Sequence, residues 1–112
     1  MTKRDDTVYL QHIFEAIELI EKYLTDIDYN TFSDTRLLQD GVVRQLEIVG
    51  EATKNLSQNV RDMASEVPWK DMAGMRDKLI HQYFGVDIEA VWATAQFDLP
   101  EVKKTIVKLL VG

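Results

Sequence analysis

The chain has 112 residues, of which 46% are hydrophobic and 29% charged, and this size and balance describe one globular domain with a real core, not a disordered or fibrous polypeptide. A formal net charge of −6 argues against strong non-specific binding to duplex DNA, and the lack of cysteine excludes disulfides and thiolate metal sites. No apolar run approaches the ~18 residues of a membrane span, and the N-terminus turns acidic at Asp5 and Asp6 where a secretory leader would turn apolar, so a cytoplasmic location is expected.

Helical periodicity dominates from the N-terminus onward. Leu10, Ile13, Ile17, Ile20, Leu24 and Ile27 recur in steps of three and four, predicting a first helix from about Asp5 to Asp26 with one apolar stripe. Glu18 and Lys22 make an i,i+4 pair off that stripe. Asp28 to Asp34 is rich in turn and capping residues, so a chain reversal is expected there. A second stripe, Leu38, Val42, Gln45, Val49, Ala52 and Leu56, is widened by Val43, Leu46 and Ile48, which predicts a central helix with several neighbours. Gly41 and Gly50 interrupt it at a cost of roughly 1 kcal/mol each, and close packing against another backbone is the expected reason.

Ser65-Glu66-Val67-Pro68 separates elements, and a third long helix is predicted from Pro68 to Phe84. Gly85 is read as its stop and Asp87 as the cap of a shorter helix through Ile88, Val91, Trp92 and Ala95. Asp98-Leu99-Pro100-Glu101 then opens a last helix with the stripe Val102, Ile106 and Leu109. Nothing alternates with period two over more than a few residues. The expected fold is an all-α, antiparallel up-and-down bundle of four to five helices, built as one domain over residues 1–112.

The chemistry concentrates in Arg76-Asp77-Lys78-Leu79-Ile80-His81-Gln82-Tyr83. Cleaving a phosphodiester without metal needs one group to move protons and another to hold phosphate charge, and His81 and Arg76 supply that pair. At about 100° per residue, Met72, Met75 and Leu79 mark the core-facing arc, and Asp77 falls between Arg76 and His81, where it could orient the imidazole. Ile80 and Phe84 share the polar arc, and an apolar patch rimmed by charge is expected to be a twofold dimer interface. A local basic patch assembled from residues such as Arg61, Lys70, Arg76 and Lys78 would have to carry any nucleic-acid contact.

Other candidates read as structural. His12 lies off the first helix's stripe and is expected at the surface. Glu47 and Glu51 are spaced to hold Mg²⁺, but a partner for Arg76 or a solvated face fits them better. With two histidines and no cysteine, no transition-metal constellation is visible, and no cofactor is expected.

The spacing Arg-polar-x3-His-x-Tyr resembles the motif of HEPN-domain ribonuclease toxins, specifically the HepT group of toxin–antitoxin systems. The resemblance extends to Leu37-Leu38-Gln39-Asp40, Arg44 to Ala52, Pro68-Trp69, Tyr83 to Asp87 and Asp98-Leu99-Pro100, so it covers nearly the whole chain. It implies a helical HEPN-like bundle that forms a homodimer, with two motifs facing one cleft, and further assembly with the antitoxin. It also implies metal-independent endoribonuclease activity, in which Arg76 and His81 are catalytic, Asp77 supports them and the RNA 2′-hydroxyl attacks the adjacent phosphate. Tyr83 matches a tyrosine modified in related systems by a minimal nucleotidyltransferase antitoxin, which transfers AMP from ATP. The alternative from a different class is a non-catalytic helical module that docks such a nucleotidyltransferase, or one that binds nucleotides through Arg76 and Lys78.

Overall fold

The computed structural model describes the backbone of residues 3–81 and 87–112, and side chains over 5–75 and 87–112. Four long helices form the bundle: α1 (Lys3–Tyr23), α3 (Arg36–Lys54), α5 (Trp69–His81) and α7 (Leu99–Val111). Short helices α2 (Tyr29–Asp34), α4 (Gln58–Met63) and α6 (Ile88–Ala93) connect them, and no strand occurs among the described residues. The all-α bundle expected from periodicity is therefore the fold. Helix α3 is central, packing against α1, α5, α2 and α6, while α7 packs along α1.

The α1 stripe behaves as its spacing predicts. Leu10, Ile13, Ile17, Ile20 and Leu24 are buried, and they meet Val42, Leu46 and Val49 of α3 and Leu99, Val102 and Ile106 of α7 in one core cluster. Burying each such side chain stabilises the fold by about 1.5–3 kcal/mol relative to exposure. On α3 Leu46 is fully buried alongside Val42 and Val49, whereas Gln45 is only half-buried. An amide at the stripe's edge keeps access to water that a core position would deny it.

Helix α1 stops at Tyr23, three residues before the expected Asp26. Asp26 instead takes φ 58°, the left-handed conformation that ends helices and that Asp tolerates better than most residues. The Asp28–Asp34 segment does reverse the chain, but as a helical turn. Thr31 N–H donates to Asp28 Oδ1 at 2.8 Å, and this bond holds the Asp28 carboxyl below the usual carboxylate range. Phe32 from this turn is fully buried against Trp92, ring centroids 5.2 Å apart. Gln39 Nε2 donates to the carbonyls of Phe32 and Ser33, joining the end of α2 to α3.

A Cβ added at Gly41 would lie 3.3 Å from the Tyr23 ring, so that glycine accommodates a side chain and not, as expected, another backbone. Helix α4 was not legible in the periodicity. It exists because Ser57 caps it: Ser57 Oγ accepts from Val60 N–H at 3.3 Å, while the buried Asp6 carboxylate accepts from Ser57 N–H at 2.8 Å and Ser57 Oγ–H at 2.7 Å. One acidic side chain of α1 thus ties down the α3–α4 junction.

Asp87 caps α6 as predicted, accepting from Ala90 N–H at 3.0 Å. The expected break before the last helix is absent. Between α6 and α7 the chain passes through a single π-helical turn, Thr94–Asp98, with Leu99 N–H bonded to Thr94 C=O. Two features explain it. Pro100 has no N–H and its ring crowds the carbonyl four residues back, which the wider turn relieves. Buried Val91, Ala95 and Leu99 also follow in two successive steps of four, which would drift about 80° on a regular α-helix. The i→i+5 turn takes up that drift and keeps all three inward.

Candidate functional site

Helix α5 carries the motif, and its start is fixed by bonds around Trp69. The buried indole donates through Nε1 to Ala64 C=O at 2.9 Å and Arg61 C=O at 3.2 Å. Met72 N–H donates to Pro68 C=O at 3.0 Å, so Pro68 sits where its missing N–H costs nothing. Met72 is buried and Met75 half-buried, as the core-facing arc requires. From this anchored first turn the helix runs without interruption to His81, packed along α3. Gly74 lies within it with no atom within 4 Å of where a Cβ would stand.

Arg76, Asp77, Ile80 and His81 therefore share one helical backbone segment, with His81 at its end. Their side chains lie outside the described residues, as do Tyr83 and Phe84 altogether. The described part of that segment, residues 76–81, continues the helix that Trp69 anchors.

The expected basic patch takes a different form. Of its two described members, Arg61 is half-buried and donates through Nη2 to Thr53 C=O at 2.8 Å, satisfying a carbonyl near the end of α3. Lys70 is exposed, but it lines an open depression shared with Asp62 and Asp71. Arg61 is thus largely a structural cap, and the depression carries both signs of charge.

Glu47 and Glu51 line a groove of about 350 Å³ between α1 and α3, together with Tyr9, His12 and Arg44. Arg44 Nη1 stands 3.9 Å from Glu47 Oε1, and the exposed His12 lies edge-on to Tyr9 with centroids 6.1 Å apart. Among the described residues no group of three or more His, Cys, Asp or Glu converges as a metal site would require. His12 is at the surface as predicted, but its place in a groove with Arg44 was not evident from the helical stripe alone. The i,i+3 positions of Tyr9 and His12 on one face were the available signal.

A second, larger groove of about 540 Å³ separates the start of α5 from the π turn and α7. Sequence reasoning missed it, since its walls come from segments distant in the chain. Phe97, on its rim, is 72% exposed.

Comparison with known proteins adds to this geometry. A family model described as "Ribonuclease HepT-like" matches residues 13–109, a span that includes the whole motif. The chain belongs to the HepT-like ribonuclease family. "Probable ribonuclease HepT" from Thermococcus cleftensis is 46% identical over 96% of this chain and 97% of its own length. "Putative RNase MJ0125" from Methanocaldococcus jannaschii is 42% identical over 98% of this chain and 95% of its own. A third relative, "Gamma-glutamylcyclotransferase and putative RNase MJ0434" from the same organism, is 44% identical over 96% of this chain, which spans only 49% of that longer protein. No solved structure matches. The sequence resemblance to the HepT group is thus upheld at the level of family.

Proposed function

We propose that this HepT-like chain is a metal-independent endoribonuclease, with Arg76 and His81 as its catalytic pair. The observation that carries the reading is the family match over residues 13–109, a span that contains Arg76, His81 and Tyr83 of this chain, together with relatives named as ribonucleases. The continuous α5 backbone supports it by putting Arg76 and His81 five residues apart on one helix, about 7.5 Å of helical rise.

In this reading the RNA 2′-oxygen attacks the neighbouring phosphorus, a new O–P bond forms, and the bond from phosphorus to the 5′-oxygen breaks. The 2′-hydroxyl proton leaves to a base and the departing 5′-oxygen receives one from an acid. Imidazole suits both tasks near neutrality because its ordinary pKa is about 6.5. In a homodimer joined through Ile80 and Phe84, His81 of one protomer would serve as base and its counterpart as acid. Arg76 neutralises charge on the non-bridging oxygens, and Asp77 orients the imidazole.

The chain is further proposed to be the toxin of a cytoplasmic toxin–antitoxin pair, organised as one HEPN-like domain. A minimal nucleotidyltransferase would silence it by moving AMP from ATP to the Tyr83 phenol, with pyrophosphate leaving. The added phosphates would occupy and repel the site that an RNA phosphate needs. Among the described residues no helix is long and apolar enough to cross a membrane.

The test compares the unmodified protein with Arg76→Ala and His81→Ala on RNA in EDTA. Cleavage by the parent and a loss of at least ~10²-fold in both variants are expected. Equal degradation by all three would assign the RNase to a contaminant and leave a docking module. For Tyr83, incubation with the nucleotidyltransferase and ATP should add mass in AMP units that Tyr83→Phe abolishes; no added mass would reject the modification.

A further inference from the structure

We propose that the groove between α5 and the π turn is a docking site for a partner protein, which enters it with an apolar anchor flanked by Lys or Arg. This inference does not depend on RNA cleavage. Its floor is apolar: Met72 and Val102 are buried at its base, Met75 is half-buried, and the Phe97 ring stands on the rim. An aromatic side chain 72% exposed beside an apolar trough is the arrangement found at protein contacts, and methionine walls adapt to the shape of what enters. The volume of about 540 Å³ holds several side chains, as a short amphipathic segment would present.

Charge selects the occupant. Glu66, Asp71, Asp98 and Glu101 stand around the trough, all exposed, and none of its described lining residues is Lys, Arg or His. Glu101 also pairs at 2.9 Å with Lys104, its neighbour three residues along α7. An RNA phosphate would meet four carboxylates, so the groove is no part of an RNA track. A twofold contact with a second copy would set this rim against itself, since an isologous interface pairs each surface patch with its own duplicate. A different chain carrying positive charge around an apolar anchor satisfies both the floor and the rim.

The π turn has a role here. By keeping Ala95 and Leu99 inward through consecutive steps of four, it leaves Phe97 between them pointing out of the core. Phe97 consequently contributes little to folding, and its removal separates docking from stability.

The test starts from a random displayed peptide library panned on the full-length protein. Enriched sequences should carry an aromatic or aliphatic anchor with neighbouring Lys or Arg. The best peptide is then titrated against the parent, Phe97→Ser, and the double variant Asp71→Lys with Glu101→Lys. Affinity should fall at least ~10-fold in each variant, and the loss in the charge reversal should shrink at high salt. Melting curves confirm that each variant is folded, and sedimentation of Phe97→Ser alongside the parent reports on self-association. Four outcomes would overturn the proposal: no enrichment, enriched peptides without basic residues, an affinity unmoved by Phe97→Ser, or a parent dimer that Phe97→Ser dissociates.

Discussion

Replacing Asp6 should be the most damaging substitution of any acidic residue in α1, although it lies far in sequence from what it holds. The carboxylate accepts two bonds from Ser57, 51 residues away, and is only 7% exposed. Hydrogen bonds to a charged group contribute about 1.5 kcal/mol or more each, so Asp6→Ala should cost about 3 kcal/mol and leave the Ser57 N–H without its acceptor. An unfolding entropy of about 2.1 cal/mol/K per residue over 112 residues gives about 0.24 kcal/mol/K, so the melting temperature should fall by about 12 °C. Asp6→Asn keeps one acceptor oxygen and should cost about 1 kcal/mol, near 4 °C. Ser57→Ala removes both the second bond and the α4 cap, and should cost about 1–2 kcal/mol. Differential scanning calorimetry of the singles and the double then gives the coupling energy, expected at about 1 kcal/mol or more. Additive effects, or an Asp6→Ala melting point within about 2 °C of the parent, would refute the idea that this carboxylate fastens α4.

Three further outcomes are expected. Gly74→Ala should stabilise the motif helix by about 0.5–1 kcal/mol, because nothing obstructs the new methyl group, whereas Gly41→Ala should lose that gain against Tyr23; chemical denaturation of the two variants checks the contrast. Lys103 has its pKa raised by the hydrogen bond to Glu21, with desolvation opposing and the Glu21 and Glu18 charges adding to the rise. Its stabilisation is therefore complete below the ordinary lysine pKa and fades as pH climbs through the folded value; the melting gap between parent and Lys103→Met should hold from about pH 7 to 10 and close above that, and a gap independent of alkaline pH would count against the ion pair. Arg76→Ala and His81→Ala should keep melting temperatures within about 4 °C of the parent while losing RNA cleavage, so a collapse in stability would turn those residues into structural ones.

Much of the fold was legible along the chain. The stripe from Leu10 to Leu24, the width of the α3 apolar face and the Asp87 cap are local signals, and local hydrogen bonding or periodicity fixes each of them. The motif stood out for a different reason, its residue types and spacing, and it lies within the span that the family model matches. Helix α4 escaped notice because its cap is completed by Asp6, a residue no local window contains. The π turn was hidden in a similar way. Pro100 read as a new start, yet packing of Val91, Ala95 and Leu99 against one core keeps the helix going with a single widened turn.

Sequence alone determined the helical class, the core-facing stripes, and the identity of Arg76, His81 and Tyr83 as the residues to test. The tertiary structure decided what the remaining charges are for. It tied Arg61, a member of the expected basic patch, to the Thr53 carbonyl, gathered carboxylates from two helices and their junctions around one apolar trough, and left Phe97 at its edge. The physical reason is distance: side-chain patterns within a few turns follow from helix geometry, while the partner of a carboxylate or guanidinium depends on which remote backbone the folded chain brings to it.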